Sequence, residues 1–289
     1  MYGIELETIT TVQPRNGQGT HRERGEVLTE IDSDLWVAGD DGSIGGMGAG
    51  ENGVEFKTIP VEFCTQELNR LGETMPQVMS IFGCRVNQSC GTHISHSTIG
   101  VYTPAIVTRL GYFALNFQQA FYAMTGTMNR ENNDFAHTLR DYPVFRDYQF
   151  LNADGANWGS IRRQNWLNLT ELQRSNPRLV PEGTRIEFRV FSATTQVKRI
   201  VAWSNICHSF LRFVESGSTR VTAPQFGRYA GAGRASFEAL LDTLAYTRRA
   251  NDTWVSNDVI SKVDGVSLVR DLVSKYDTKR QANGSERIL

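Results

Sequence analysis

The sequence has little of what stabilises secreted proteins or anchors proteins in membranes. Its 289 residues include only four cysteines (Cys64, Cys84, Cys90 and Cys207), and their spacing shows no pairing framework. Free thiols in a reducing compartment are therefore expected. No apolar run approaches the roughly 20 residues that span a bilayer, and a strand-like run follows Met1 without a secretory leader. We expect a cytoplasmic protein without a membrane partner.

The sequence also lacks an excess of charge of either sign. Lys and Arg number 30 and Asp and Glu number 31, so the formal net charge is −1. Such a chain has no overall basic field for nucleic acid, and no nucleic-acid partner is indicated. No proline-rich or serine-rich linker interrupts the sequence. We therefore expect a single domain over residues 1–289, with a core at 2–194, a helical part at 195–276 and a frayed polar tail at 277–289.

Alternating apolar and polar residues predict several strands. Residues 2–9 begin the chain in this pattern, and an apolar run at 35–38 precedes a glycine-rich connection and a second alternating stretch at 54–59, which predicts a hairpin. Residues 90–95 and 184–191 continue the pattern. Polar residues at 13–26 and the arginine-rich stretch at 129–173 predict loops.

Apolar residues at helical spacing predict the remaining elements. Two short helical pieces separated at Pro76 are expected after Pro60, and a long buried helix is expected from Pro104 to about Met128. Later helices are expected at about 196–214, 235–250 and 257–275. The predicted fold is α+β, an antiparallel sheet whose helices pack on one face.

The strands share one design, in which charged side chains lie on one face. Residues i and i+2 of a strand project to the same side, so each of four strands contributes a same-face pair: Glu5 with Glu7, Glu55 with Lys57, His93 with Ser95, and Glu187 with Arg189. Crowded carboxylates repel one another unless a cation lies between them. Carboxylate oxygens with one imidazole favour hard ions such as magnesium or manganese.

Five short motifs in this order resemble the amidoligase branch of the carboxylate-amine ligases, relatives of glutamine synthetase and glutamate-cysteine ligase. The motifs are YGIELET from residue 2, DGS from 41, GVEF from 53, CGTHI from 90 and TRIEFRVFSAT from 184. The resemblance covers residues 2–194. It implies a glutamine-synthetase-like sheet with one charged concave face.

The resemblance also implies roles for individual residues. The metal ligands would be Glu5, Glu7, Glu55, His93 and Glu187. Arg189 would contact a phosphate or acyl phosphate, and Asp41 would face the substrate or assist the metals. Arg130 and Arg163 would neutralise ATP or the substrate carboxylate, and Lys57 is a further candidate for nucleotide binding.

The implied activity is ATP-dependent ligation with Mg²⁺ or Mn²⁺. ATP would phosphorylate a small-molecule or peptide carboxylate, and an amine would displace the phosphate to give an amide or isopeptide bond. One departure concerns the family's second histidine, two residues after the first: the chain has Ser95 there and His96 beside it. The function of that second imidazole is therefore in question.

Other interpretations of the same residues remain open. Cys84, Cys90, His93 and His96 could form a zinc cluster, although their spacing is unlike the close ligand pairs of structural zinc sites. Residues 48–53 satisfy GxGxxG but lead into a strand, which favours a hairpin turn over a dinucleotide fingerprint. For the whole protein, the alternatives are a guanidino or amine kinase of the same fold, a catalytically silent binding protein and a zinc hydrolase.

Overall fold

The computed structural model describes most of the chain. The described residues are 1–12, 14, 28, 31, 34–131, 134–139, 163–174, 180–216, 232–244, 247–248, 254–255 and 265–282. The loop predicted at 13–26 lies almost wholly outside these residues, as does much of the loop predicted at 129–173. None of the helices in this part of the chain is long and apolar enough to cross a membrane.

Six strands form one sheet in a mixed α/β fold. They are β1 (Tyr2–Thr10), β2 (Trp36–Asp40), β3 (Asn52–Thr58), β4 (Gly91–Ser97), β5 (Leu167–Asn168) and β6 (Arg185–Ser192). Their order in the sheet is β2-β3-β1-β4-β6-β5, and the pairings β1–β3, β2–β3 and β5–β6 are antiparallel. Strands β7 (Thr247–Arg248) and β8 (Trp254–Val255) form a separate antiparallel pair.

Six helices occur among the described residues. They are α1 (Thr65–Ile81), α2 (Pro104–Ala123), α3 (Thr170–Arg174), α4 (Val197–Glu215), α5 (Ala232–Thr243) and α6 (Gly265–Ala282). The chain divides into two compact units, Met1–Ser95 with Ser192–Val201 and His96–Phe191 with Ala202–Leu289. The glutamine-synthetase-like arrangement and the single domain stay predictions.

The first unit contains the hairpin predicted from the sequence. Strands β2 and β3 pair with Ala38 opposite Phe56. Phe56 packs on Phe82 with ring centroids 5.2 Å apart, and the Trp36 indole donates a hydrogen bond of 2.8 Å to the Thr74 hydroxyl of α1. Burying such side chains stabilises the fold by about 1.5–3 kcal/mol each. The apolar side of this hairpin is therefore covered by α1 and the turn that follows it.

The second unit covers the apolar side of β6 in the same manner. Phe188 of β6 lies 5.5 Å from Phe121 of α2 and 6.1 Å from Phe210 of α4, measured between ring centroids. Helix α2 also packs against α5 and α6. The aromatic residues at helical spacing in α2 thus form core, as their periodicity predicts.

Several predicted helix boundaries were wrong. Helix α1 runs unbroken through Pro76, because an exposed proline ring late in a packed helix costs less than the buried face of α1 contributes. The long buried helix stops at Ala123. The helix predicted at 235–250 ends at Thr243, and residues 247–248 form β7.

The predicted frayed tail was also wrong over 277–282, and its remaining residues, 283–289, lie outside the described part of the chain. Helix α6 continues to Ala282, and Tyr276, Asp277 and Arg280 are buried. Both carboxylate oxygens of Asp277 accept backbone hydrogen bonds at the start of α5, from Gly233 (3.1 Å) and Arg234 (3.0 Å). The polar composition suggested a frayed end, but the polar side chain of Asp277 connects α6 to the start of α5.

Candidate metal centre

The register of the first unit brings the predicted acidic residues together. Strand β1 pairs with β3 so that Glu7 lies opposite Glu55 and Glu5 lies opposite Lys57. Directly opposite side chains in an antiparallel pair project from the same face, about 4.5–5.5 Å apart at their Cβ atoms. The i, i+2 spacing read from the sequence therefore becomes a compact cluster with three carboxylates and one ammonium.

The three carboxylates form, together with Asp41 and His93, two groups of possible metal ligands. Glu5, Glu55 and His93 form one, and Glu7, Asp41 and Glu55 form the other; in each group one ligand atom per residue lies within 4.8 Å of the others. Glu55 belongs to both groups. Glu7, Asp41, Glu55 and His93 are buried, and Glu5 is half-buried.

His93 connects two of the carboxylates. Its Nδ1 lies 3.4 Å from Glu5 Oε2, and its Nε2 lies 3.4 Å from Glu7 Oε1. The second oxygen of Glu7 accepts a hydrogen bond of 2.5 Å from the backbone N–H of Gly91. Strand β4 therefore orients both Glu7 and the imidazole, so the positions of these ligands are set by the sheet.

Asp41 is positioned by the turn that follows β2. Its Oδ1 accepts hydrogen bonds from the Ser43 N–H (2.8 Å) and the Ser43 hydroxyl (2.6 Å), the arrangement of an Asx turn. Its backbone N–H donates to the Gly53 carbonyl at 3.0 Å. A Cβ at Gly53 would lie 2.6 Å from the Asp41 carbonyl oxygen, so only glycine allows this approach.

Lys57 forms an ion pair with the carboxylate that the two groups share. Its Nζ lies 2.5 Å from Glu55 Oε2, and the Lys57 and Glu55 side chains are 27% and 2% exposed. The ammonium therefore reaches the buried cluster from a partly exposed position. Among the predicted nucleotide contacts, Lys57 is the one that belongs to this unit.

The glycine-rich connection between β2 and β3 is tied to the chain beyond α1. Arg85 donates to both oxygens of Glu51, from Nε at 2.7 Å and from Nη2 at 2.5 Å. Hydrogen bonds from Arg85 and the Gly48 N–H lower the pKa of Glu51 to about 2. Residues 48–53 thus form a hairpin connection without a following helix, as predicted, and the dinucleotide alternative has no support here.

The donor set suits a hard divalent cation. Four carboxylates and one imidazole match the oxygen-rich coordination of Mg²⁺ or Mn²⁺. The zinc alternative fares worse, because burial raises the pKa of the Cys84 thiol to about 11. Cys90 packs with Ile9 and Ile44 in a small core cluster. Within the described ranges, no ligand group combines these cysteines with a histidine.

Glu187 and Arg189 belong to the second unit. The Glu187 carboxylate accepts hydrogen bonds from Asn168 Nδ2 at 2.6 Å and from Arg189 Nη1 at 2.9 Å, and all three side chains are buried. Glu187 is not a member of either ligand group formed by the described residues. Its role as a metal ligand stays a prediction.

The other predicted arginines differ in their surroundings. Arg130 is buried and its Nη2 donates to the Phe191 carbonyl at 2.9 Å, whereas Arg163 is exposed. The Arg189 side chain is only 6% exposed, and its Nε is buried and has no hydrogen-bond partner among the described residues. Arg189 and Arg130 therefore place two buried guanidinium groups in the second unit.

Comparison with known proteins adds no assignment. No protein-family model, no curated protein and no solved structure matches the chain.

Sequence reasoning missed three contacts of the site residues. The Asn168–Glu187 hydrogen bond could have been expected from LNL, in which one polar residue lies between two apolar ones. Ser43 was foreseeable from DGS, a common turn sequence. The ion pair of Lys57 with Glu55 was foreseeable from their i, i+2 spacing on β3, which places both side chains on the same face.

Proposed function

We propose that the protein is an ATP-dependent carboxylate-amine ligase that forms an amide or isopeptide bond and uses Mg²⁺ or Mn²⁺. The observation that carries the proposal is the shared carboxylate of Glu55 between two groups of possible ligands. Two cations bridged by one carboxylate would suit a triphosphate, whose transfer is assisted by paired metals. The ordered motifs of the sequence favour the same class.

We assign cation binding to the carboxylates and the histidine, and anion binding to the arginines. Glu5, Glu55 and His93 would hold one cation, and Glu7, Asp41 and Glu55 the other. Bound cations would supply charge neutralisation for the phosphates. Arg189 and Arg130 carry permanent positive charge, and we assign them to the phosphoryl group or the substrate carboxylate. Arg163 would contribute to nucleotide binding from an exposed position.

In the proposed reaction the protein would orient ATP, the carboxylate and the amine, and it would not need to supply a nucleophile of its own. ATP would phosphorylate the carboxylate, and the amine would then displace phosphate from the acyl phosphate. A carboxylate accepting the proton of the attacking amine completes the step. Small-molecule or peptide carboxylates and amines are the proposed substrates, and the four free cysteines are consistent with a cytoplasmic location.

Phosphate release tests the proposal. The protein would be incubated with ATP, Mg²⁺ and a panel of amino acids and peptides, and compared with Glu55→Gln and Glu187→Ala. We expect release by the wild-type protein that depends on the added carboxylate and amine, and little release by either variant. Equal release by wild-type and Glu55→Gln proteins would refute the proposal. Mass spectrometry of the products separates an amide from the phosphorylated amine that a kinase would make.

A further inference from the structure

The ion pair between Lys57 and Glu55 has an unusual position. Glu55 is the carboxylate that both ligand groups require, and the Lys57 ammonium already lies 2.5 Å from its Oε2. Lys57 also lies opposite Glu5 in the β1–β3 register. One cation is therefore already paired with the carboxylate that both groups would share.

An ammonium at this distance would oppose metal binding. It would compete for a Glu55 oxygen and repel a divalent ion held by Glu5, Glu55 and His93, with an energy that grows as the separation falls. The lysine side chain is long and flexible, and 27% of it is exposed. It can therefore move toward solvent without disturbing the buried Phe56 side of β3.

We propose that Lys57 is a placeholder cation: its ammonium neutralises Glu55 while the centre lacks a divalent ion, and it leaves Glu55 when such an ion binds. This inference rests on the metal centre of the proposed function. It makes metal loading an exchange of one cation for another. The exchange releases the ammonium for an anionic group of the substrate complex.

The test measures metal affinity and thermal stability in the same variants. Mn²⁺ would be titrated by calorimetry into chelator-treated wild-type protein, Lys57→Met and Lys57→Arg. Because the competing ammonium is removed, Lys57→Met should bind Mn²⁺ at least about fivefold more tightly, and Lys57→Arg should remain near wild type. Lys198→Met is the matched control, since Lys198 is an exposed lysine of the same unit. Its replacement by Met removes the same formal charge.

Without metal, Lys57→Met should melt about 2–4 °C below the wild type, because the variant lacks the ion pair between the Lys57 ammonium and Glu55. Mn²⁺ should remove that difference. If Lys57→Met does not fold, Lys57→Gln replaces it with a side chain that can still donate a hydrogen bond.

The outcomes separate the two proposals. Wild-type binding with unchanged or weaker binding by Lys57→Met overturns the placeholder role and leaves the metal centre standing. Equal tightening in Lys198→Met also overturns it, because net charge alone would then explain the effect. Absence of Mn²⁺ binding in every variant overturns the metal centre and the placeholder together. Tighter binding in Lys57→Met but not in Lys57→Arg or Lys198→Met, with metal-reversible destabilisation of Lys57→Met, supports both.

Discussion

At the scale of single residues, Glu55 and Asp41 differ in their place in the proposed metal centre. Glu55 belongs to both ligand groups, whereas Asp41 belongs to one. We therefore predict that Glu55→Gln weakens Mn²⁺ binding at every site, by on the order of tenfold or more. Asp41→Asn should weaken binding at only one site. Calorimetric titration of the chelator-treated protein reports the affinity and the stoichiometry of each variant.

The matched control for these substitutions is Glu67→Gln, which removes a carboxylate at the start of α1, outside both ligand groups. It should bind as the wild type does. Equal losses in Asp41→Asn and Glu55→Gln would contradict the division into two groups with one shared ligand.

His96 makes the stability of the folded protein depend on pH. Burial lowers its pKa well below the ordinary value of 6.5, with His208, whose ring centroid lies 5.5 Å away, as a further cause. Below about pH 6.5 the unfolded chain takes up a proton at His96 and the folded protein does not, so stability falls as pH decreases. The slope for one such group is at most about 1.4 kcal/mol per pH unit.

We predict that His96→Gln reduces this loss of stability between about pH 6.5 and 5. Chemical unfolding at a series of pH values measures it. His137→Gln is the control, because the side chain of His137 is 38% exposed. An unchanged pH profile in His96→Gln would show that other groups cause the acid sensitivity.

At the scale of elements, Asp277 of α6 caps the start of α5. Its two oxygens accept the N–H groups of Gly233 and Arg234, which have no partner within their own helix at that end. Burial raises the pKa of Asp277, although these hydrogen bonds act in the opposite direction. Asp277→Ala should lower the free energy of unfolding by about 1–2 kcal/mol, measured by urea denaturation.

The replacement Asp277→Asn separates capping from charge. It keeps one oxygen that can accept a backbone hydrogen bond, so it should lose less stability than Asp277→Ala. If both variants are as stable as the wild type, the contact between α5 and α6 does not depend on this cap.

Pro76 makes α1 less stable than its sequence would otherwise allow. The ring removes one intrahelical hydrogen bond and crowds the preceding turn, and the residue is exposed. Pro76→Ala should therefore raise the free energy of unfolding by about 1–3 kcal/mol, with no loss of core packing. Gln77→Ala, its exposed neighbour, is the control and should change stability much less.

The elements that the sequence predicted well are those with a strict period of two. The alternation in β1, β3, β4 and β6 follows directly from strands with one apolar and one polar face, and it also placed Glu5 with Glu7, and Glu55 with Lys57, on a common strand face. The failures at Pro76 and Asp277 have a common cause. Local composition opposed a helix at both positions, while packing and capping by distant residues stabilised it.

At the scale of the whole molecule, the described ligand groups lie within one unit. All five of their residues belong to Met1–Ser95. Mn²⁺ should therefore slow amide hydrogen exchange in β1, β3 and the start of β4, because a ligand that binds only the folded state suppresses local opening. Exchange in α2, α5 and α6 should change little.

The same measurement tests the role of Glu187. If Glu187 is also a metal ligand, Mn²⁺ should slow exchange in β6, and Glu187→Gln should abolish that change while leaving β1 protected. Protection of β6 that survives Glu187→Gln would argue against ligation by this carboxylate. The i, i+2 spacing could identify Glu187 and its partner Arg189, but Asn168 reaches Glu187 only through the pairing of β5 with β6, which spacing along the chain does not give.

Gly53 has a consequence for experiments that score every substitution at every position. A Cβ atom at residue 53 would lie only 2.6 Å from the Asp41 carbonyl oxygen, so any side chain larger than hydrogen would clash with it. Replacement would displace the turn that follows β2, and the Asp41 carboxylate would move with that turn. A scan of all single substitutions should therefore show that residue 53 does not tolerate replacement. Glycine is required there because it lacks a side chain, although it has no functional group of its own.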